Sequence, residues 1–331
     1  MGTIMESNHL TPTIGFSPVN VGLNKSSASS FIEANTEKIR FEELRDEHII
    51  PVFSATNEPL ISHHEFIETV GTEVQNWFAN EDILLPSIRV SHPIKGRIPE
   101  ARYKRASELE SWESTLYYER MMFCIEIPSI FESVNGNHLS LVIGGVKAFS
   151  KDNLYGKRPS GEQHFQLFIG FQNKVCTNLC ISTDGIKLSQ SVTNLHDLKI
   201  TVLRLLHQYD MKRHLQFMDG LGHLGINETE VAQLIGKARL LRHLPDELSK
   251  DKFQLQFGDN QIGIVARELY TDTSFKMTGK EIDLWKLYNL FTGANKSTYI
   301  DQFVDRAVNA QHFMQEILAH KKGEKQSWFL G

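Results

Sequence analysis

The stretch that decides the fold begins Leu116-Tyr117-Tyr118-Glu119-Arg120-Met121-Met122-Phe123-Cys124-Ile125-Glu126-Ile127, passes Asn135-Gly136-Asn137, and returns as Leu139-Ser140-Leu141-Val142-Ile143-Gly144-Gly145-Val146-Lys147-Ala148-Phe149. Both arms are apolar and of strand length, and the first reads as ending at Pro128. Asn and Gly tolerate the positive φ that a tight hairpin turn needs, so the arms are predicted to pair antiparallel. After a loop from Ser150 to Gly161, two more strand-like runs follow, Phe165 to Phe171 and Val175 to Ser182. Thr183-Asp184-Gly185 then turns the chain. Consecutive strands with short turns predict a central antiparallel sheet of at least four strands.

Upstream, Glu37 to Glu47 reads as helical and Ile49-Ile50-Pro51-Val52-Phe53 as a short strand, with Pro51 favouring an edge. Ser62 with Glu65 three residues later forms a capping box. Phe66, Ile67, Val70, Val74, Trp77 and Phe78 then recur at helical spacing. Residues 1–30 are rich in Ser, Asn, Thr and Gly and read as a disordered tail. Ile14, Phe16, Val19 and Leu23 offer the alternative of a short docking anchor.

Downstream the period changes. Leu195, Leu198, Val202, Leu205, Leu206 and Tyr209 make one helical stripe. Asn227 and Glu230 form a second capping box before Val231, Leu234, Ile235, Ala238 and Leu241, a helix that stops before Pro245. Further helices are predicted over Asn260 to Tyr270, Leu284 to Phe291, and Thr298 to about Lys321. Strands first and helices after predict an α+β fold with N-terminal helices and a helical C-terminal half. The organisation is a 1–30 tail, a 31–192 region holding the sheet, and a 193–331 helical region. That last region is either separate or shares one core with the sheet.

Composition excludes several function classes. The chain has 331 residues, 40% hydrophobic and 23% charged, with a net charge of −5. It can bury a large core, and nonspecific nucleic-acid binding would need a local basic patch. Three cysteines, Cys124, Cys176 and Cys180, make no disulfide framework and fit a reducing compartment. No basic start precedes an apolar stretch, so no signal peptide is expected. No window approaches a membrane span. The expected location is cytoplasmic.

Recognisable enzyme motifs are missing. Gly156-Lys157, Gly236-Lys237 and Gly279-Lys280 lack the rest of a phosphate loop. No dinucleotide-binding glycine pattern and no nucleophile elbow occur. Cys176 and Cys180 have a metal-compatible spacing without a second ligand pair; packing side by side on a strand is the simpler reading. His63-His64-Glu65 lacks the second histidine of a zinc-protease helix, because position 68 is Glu68. Glu119 and Glu126 on one arm and Lys147 on the other suggest a magnesium-dependent nuclease, although solvent-facing strand charges explain them more simply. No catalytic residue, metal or cofactor is expected, and the chain leans away from being an enzyme.

The strongest local signal is His92-Pro93-Ile94-Lys95-Gly96-Arg97-Ile98-Pro99-Glu100-Ala101-Arg102-Tyr103-Lys104-Arg105. Pro and Gly predict a loop, and loops on a rigid scaffold often bind. Lys95, Arg97, Arg102, Lys104 and Arg105 can neutralise phosphates, and Tyr103 can stack on a base. The plainer reading pairs them with Glu108, Glu110 and Glu113. A secondary polar site is Gln172, Asn173, Lys174 and Asn178, together with Asn295 and Lys296. Its plainer reading is turn chemistry for the first segment. For the second it is Gly293 ending one helix and Asn295 or Ser297 capping the next. Trp328, Phe329 and Leu330 either dock on the core or bind another chain.

Several phrases carry a resemblance. They are Ser30-Phe31-Ile32-Glu33-Ala34-Asn35-Thr36, His48-Ile49-Ile50-Pro51-Val52-Phe53, Ile61-Ser62-His63, Arg89 to Arg97, Tyr117-Tyr118-Glu119-Arg120, Ile169 to Cys176, and Asn289 to Ser297. Over Phe31 to Leu330 the chain resembles a bacterial family catalogued as domain of unknown function 3871. That family is distantly similar to a phage- and plasmid-borne group, and the resemblance implies a mobile-element context without implying any catalytic residue. The combined expectation is a DNA-associated accessory protein that binds or pairs single strands, with double-stranded DNA as a further partner. The rivals are a protein-interaction module acting as inhibitor or assembly factor, and a cryptic nuclease.

Overall fold

Long apolar runs can lie in a sheet only if both of its faces are covered, and the computed structural model shows that arrangement. It describes residues 30–48, 60–101, 103–152, 162–182 and 189–331. In chain order the strands are β1 (Glu37–Ile39), β2 (Ser87–Val90), β3 (Pro93–Arg97), β4 (Ser114–Tyr118), β5 (Arg120–Val134), β6 (Asn137–Ala148), β7 (Gln163–Asn173), β8 (Leu179–Ser182) and β9 (Ser189–Val192). Among the described residues the main sheet is seven-stranded and antiparallel in the order β1-β2-β5-β6-β7-β8, with β9 also on β7. β3 and β4 leave that sheet and pair with each other as a ribbon.

The first apolar arm is therefore two strands. Glu119 breaks it, and β5 continues past Pro128. Proline has no N–H for the ladder, and the register of β5 on β6 shifts there, between Ile127 and Phe131. The hairpin turn is as read: Asn135 and Gly136 have φ of 48° and 77°, and Val134 pairs with Asn137 across it.

Alternate residues face alternate sides. Phe123, Ile125, Leu141, Ile143, Leu167 and Ile169 enter the larger apolar cluster. Met122, Cys124, Val142, Val146, Phe168 and Ile181 enter a smaller one. At the middle of β6 the two faces nearly meet. A Cβ on Gly144 would lie 2.2 Å from the Phe123 carbonyl oxygen and 2.4 Å from the Phe168 ring, and one on Gly145 would lie 2.3 Å from the Phe66 ring.

The helices are α1 (Phe41–Glu47), α2 (His63–Trp77), α3 (Leu195–Gln208), α4 (Met211–Leu221), α5 (Glu228–Leu240), α6 (Asp246–Ser249), α7 (Asp259–Thr271), α8 (Leu284–Asn295) and α9 (Ile300–Lys321). A short ribbon, β10 (Gly225–Asn227) with β11 (Glu281–Asp283), ties the helical half together. Both capping boxes form: Ser62 Oγ accepts from the Glu65 N–H at 3.2 Å, and Asn227 Oδ1 from the Glu230 N–H at 3.0 Å. The larger cluster runs from Ile39 through the sheet and α2, α3, α5, α7 and α8 to Leu330. Ile300, Phe303, Val304 and Ala307 of α9 join Phe31 and Ile32 on the opposite face.

Several expectations change. Glu37 to Glu47 is a strand followed by a helix, because β1 is held on β2 while Arg89 donates to the Thr36 carbonyl at 2.8 Å. A separate helix, α4, starts where Asp210 caps it by accepting from the Arg213 N–H at 2.9 Å. α8 runs through Gly293 to Asn295, and α9 follows Tyr299, which makes no side-chain cap. The expected helix end and caps at Gly293, Asn295 and Ser297 therefore do not form. Gly293 instead lies inside α8 beside Asn178, whose amide would be in ordinary contact, 3.5 Å, with a Cβ there. The C-terminal apolar residues dock on their own chain. Phe329 is fully buried, edge-on to Phe313 at 4.8 Å, and Lys237 Nζ holds the Trp328 carbonyl at 2.6 Å. The 1–30 tail up to residue 29, the Ile49 to Phe53 strand, the glycine-containing loop from 153 and the Thr183 turn lie outside the described residues. Among the described residues no helix is long and apolar enough to cross a membrane.

Gly144→Ala should destabilise the fold by about 3 kcal/mol, the upper range for forcing atoms into a packed core. The check is the urea midpoint; a shift under about 0.5 kcal/mol would contradict the two-sided packing.

Candidate nucleic-acid interface

The segment read as a basic loop is an ordered hairpin. β3 and β4 pair from Pro93 with Tyr118 to Arg97 with Ser114. Short 3-10 turns over Pro99–Ala101, Ala106–Glu108 and Ser111–Glu113 fold the connection between them. Glu113 anchors that connection. It is buried, and its carboxylate takes the Lys104 ammonium at 2.5 Å and the Glu110 N–H at 2.9 Å. The Lys104 hydrogen bond, together with the Glu110 N–H, holds the Glu113 carboxyl below its ordinary range. Arg97 donates to the Lys104 carbonyl, so it braces the hairpin as well as carrying charge.

Charge is thus more balanced than the basic run suggests. Lys104 is ion-paired, and Glu100, Glu108 and Glu110 share the hairpin surface. Lys95 and Arg105 are exposed, Arg97 is half-exposed, and Arg102 lies outside the described residues. The hairpin carries two large exposed aromatics, Tyr103 at 83% and Trp112 at 68% exposure. Sequence reading picked Tyr103 and missed Trp112, which sits among acids instead of in the basic run.

The secondary polar site is brought together in part. Asn173 Nδ2 donates to Asn289 Oδ1 at 3.1 Å, and Asn178 Nδ2 to the Asn289 carbonyl at 2.9 Å. Lys296 Nζ reaches the Cys176 carbonyl and, at 3.0 Å, Thr177 Oγ1. Thr177 has φ of 58°, unusual for a β-branched residue. The network staples the β7–β8 turn to α8 and to the segment at Glu33, whose N–H donates to the Lys296 carbonyl at 2.8 Å. Burial lowers the Lys296 pKa. Lys174 instead pairs with Glu126 at 2.6 Å, Asn295 donates to the Phe303 carbonyl at 3.0 Å, and Gln172 is half-exposed on β7. The missed residue is Asn289; its signal was an amide inside the apolar run Leu287 to Phe291.

Of the nuclease candidates, Glu119 lies between β4 and β5 beside Arg120, while Glu126 and Lys147 are separated by the sheet. Glu126 pairs with Val142 and Lys147 with Met121 in the ladder, and these partners belong to opposite faces. Lys147 is not a solvent-facing charge either. It is fully buried, salt-bridged to Asp152 at 2.5 Å, with its ammonium 4.1 Å from the centre of the Phe165 ring. Asp152 Oδ1 accepts the His164 N–H at 2.7 Å. Burial pulls the Lys147 pKa down to about 8, against the opposing pull of Asp152. Cys176 lies in the turn after β7 and Cys180 in β8. Burial raises the Cys176 pKa to about 11 and that of Cys180 further, so both stay thiols. Among the described residues no group of three or more His, Cys, Asp or Glu is placed to hold a metal ion.

The family model described as "Domain of unknown function, B. Theta Gene description (DUF3871)" matches residues 17–330. No curated protein and no solved structure matches the chain.

Asp152→Asn should cost about 3–5 kcal/mol, because it leaves a buried ammonium unpaired. Asp152→Asn combined with Lys147→Met should recover much of that loss. Urea denaturation of both variants checks this, and equal stability of the single variant and the parent would contradict it.

Proposed function

The chain belongs to the DUF3871 family, whose description assigns no activity, and from that premise we propose that it is a DNA-associated accessory protein that binds single strands through the β3–β4 hairpin. The observation that carries this reading is the pair of exposed aromatics, Tyr103 and Trp112, on the hairpin that bears Lys95, Arg97 and Arg105. Aromatic side chains stack on unpaired bases at about 1–3 kcal/mol each, while cations beside them neutralise phosphates. Bases in a duplex are already stacked, so this surface favours single strands. A setting on mobile-element DNA is the context that the resemblance suggests.

The hairpin suits such a role mechanically. It pairs as its own two-stranded ribbon apart from the main sheet, and its shape is held by Glu113. The protein-interaction rival loses one cue, since Trp328 to Leu330 are engaged on the core. The nuclease rival loses its residue pair to the two sides of the sheet.

The test is fluorescence anisotropy of a labelled oligo-dT and of a duplex of the same length across a salt series. Three phosphate contacts, by Lys95, Arg97 and Arg105, give a log–log salt slope of about −2 on a single strand. Trp112→Ala should weaken binding roughly tenfold or more. No binding at about 50 mM salt, or unchanged affinity in Trp112→Ala and Tyr103→Ala, would overturn the proposal.

A further inference from the structure

Two buried histidines meet the backbone N–H and C=O of one residue, Tyr118, at the base of the hairpin. His48 follows α1, and His63 opens α2; their rings stack at 4.6 Å with 27° between planes. The Tyr118 N–H donates to His48 Nδ1 at 3.2 Å. The Tyr118 carbonyl lies 2.8 Å from His63 Nε2, and a carbonyl only accepts, so Nε2 carries the proton there. One histidine thus takes the N–H of Tyr118 and the other its C=O. His48 must be neutral to accept there, with its proton on Nε2, whereas His63 donates from Nε2 whether neutral or protonated. Among the described residues that leaves His48 Nε2 and His63 Nδ1 without a hydrogen-bond partner. Unpaired buried polar atoms in a packed site call for an explanation beyond packing.

We infer that the His48–His63 clamp on Tyr118 is an acid-sensitive tether that holds the β3–β4 hairpin on the sheet and releases it when His48 takes up a proton. This regulation bears on the proposed function only if the hairpin is the binding surface, but the tether itself stands independently of that reading. Tyr118 is the last residue of β4 and faces Pro93, the first of β3, so the clamp grips the root of the ribbon. Protonation of His48 puts an N–H on Nδ1 opposite the Tyr118 N–H, so a donor faces a donor. A two-stranded ribbon cut loose from its support is marginal in water.

The surroundings oppose charge at this point. His64 on α2 lies near both rings, and Lys147 on β6, paired with Asp152 and near His164 of β7, adds positive charge toward His63. Glu37, Glu43 and Glu47 face Tyr118 from β1 and α1. The Phe149 ring closes the stack 4.7 Å from His63. Burial, with His64 adding, brings the His48 pKa down to about 4, and burial with His48 and Lys147 brings that of His63 well below its ordinary value. The sign follows. Histidine in the unfolded or released segment titrates near 6.5, so the clamp is at full strength above about pH 6.5 and weakens as pH falls from there toward about 4.

Hydrogen exchange by mass spectrometry on the whole protein without DNA tests this, between pH 7.5 and 4.5 and corrected for intrinsic rates. Peptides spanning Ile94 to Tyr117 should gain roughly tenfold in exchange while those of β5 and β6 stay protected. His48→Asn keeps an acceptor near the Nδ1 position and cannot titrate, so its hairpin should stay protected in acid. If that variant fails to fold, nuclear magnetic resonance titration of the wild-type imidazoles replaces it, and the His48 midpoint should coincide with hairpin release. Protection of the hairpin down to pH 4.5, simultaneous loss across the sheet, or equal release in His48→Asn would each overturn the tether. Failure of DNA binding at pH 7.5 would overturn the binding reading and leave the tether standing.

Discussion

The rest of the structure depends on close packing against β6 from both sides. Phe66 of α2 presses on Gly145 from one face and Phe168 of β7 on Gly144 from the other. Neither ring could come so near a strand that carried side chains there. This contact fixes where α2 lies, and α2 in turn fixes His63 at its first turn. With one face closed by α2, α3 and α8, the opposite face is left to α9 and the segment at Phe31 and Ile32. The sheet and the helical half consequently share one apolar cluster across the described residues.

Polar chemistry collects where this packing runs out. At one end of β6 lies the buried Lys147–Asp152 pair with the two stacked histidines. Beyond β7, the Asn173–Asn289–Asn178 network staples a turn to α8. Both sites bind mainly to their own neighbours, which makes them supports for other elements. The hairpin differs: its aromatics are turned outward, and its internal ion pair, Lys104 with Glu113, shapes the ribbon from beneath. On the reading proposed above, a rigid support lies under an exposed stacking surface, the division of labour that a binding protein needs.

Much of this was legible in the sequence wherever local physics decides the outcome. Asn135-Gly136 encodes its turn, and the boxes at Ser62 and Asn227 encode their helix starts. The strand pattern announced the sheet. What was not legible required contacts between distant residues. Lys147 reads as a surface charge until Asp152 folds back beneath it. Lys95 to Arg105 reads as strongly basic until Glu113 is seen reaching Lys104. The break at Glu119 was hidden because β4 and β5 are both apolar and only the sheet separates them. Trp112 escaped notice because acids surround it in sequence, and its exposure shows only in the fold. The contacts of Tyr118 could not have been read at all, since they come from two histidines on separate elements.

The central claim is that nucleic acid is held on the hairpin, by Tyr103 and Trp112. Ultraviolet crosslinking of oligo-dT to the whole protein, followed by peptide mapping, tests it most directly. The account predicts adducts on peptides containing Tyr103 or Trp112, with the helical half unmodified. Adducts confined to other peptides, or none under conditions where a known single-strand binder crosslinks, would contradict it.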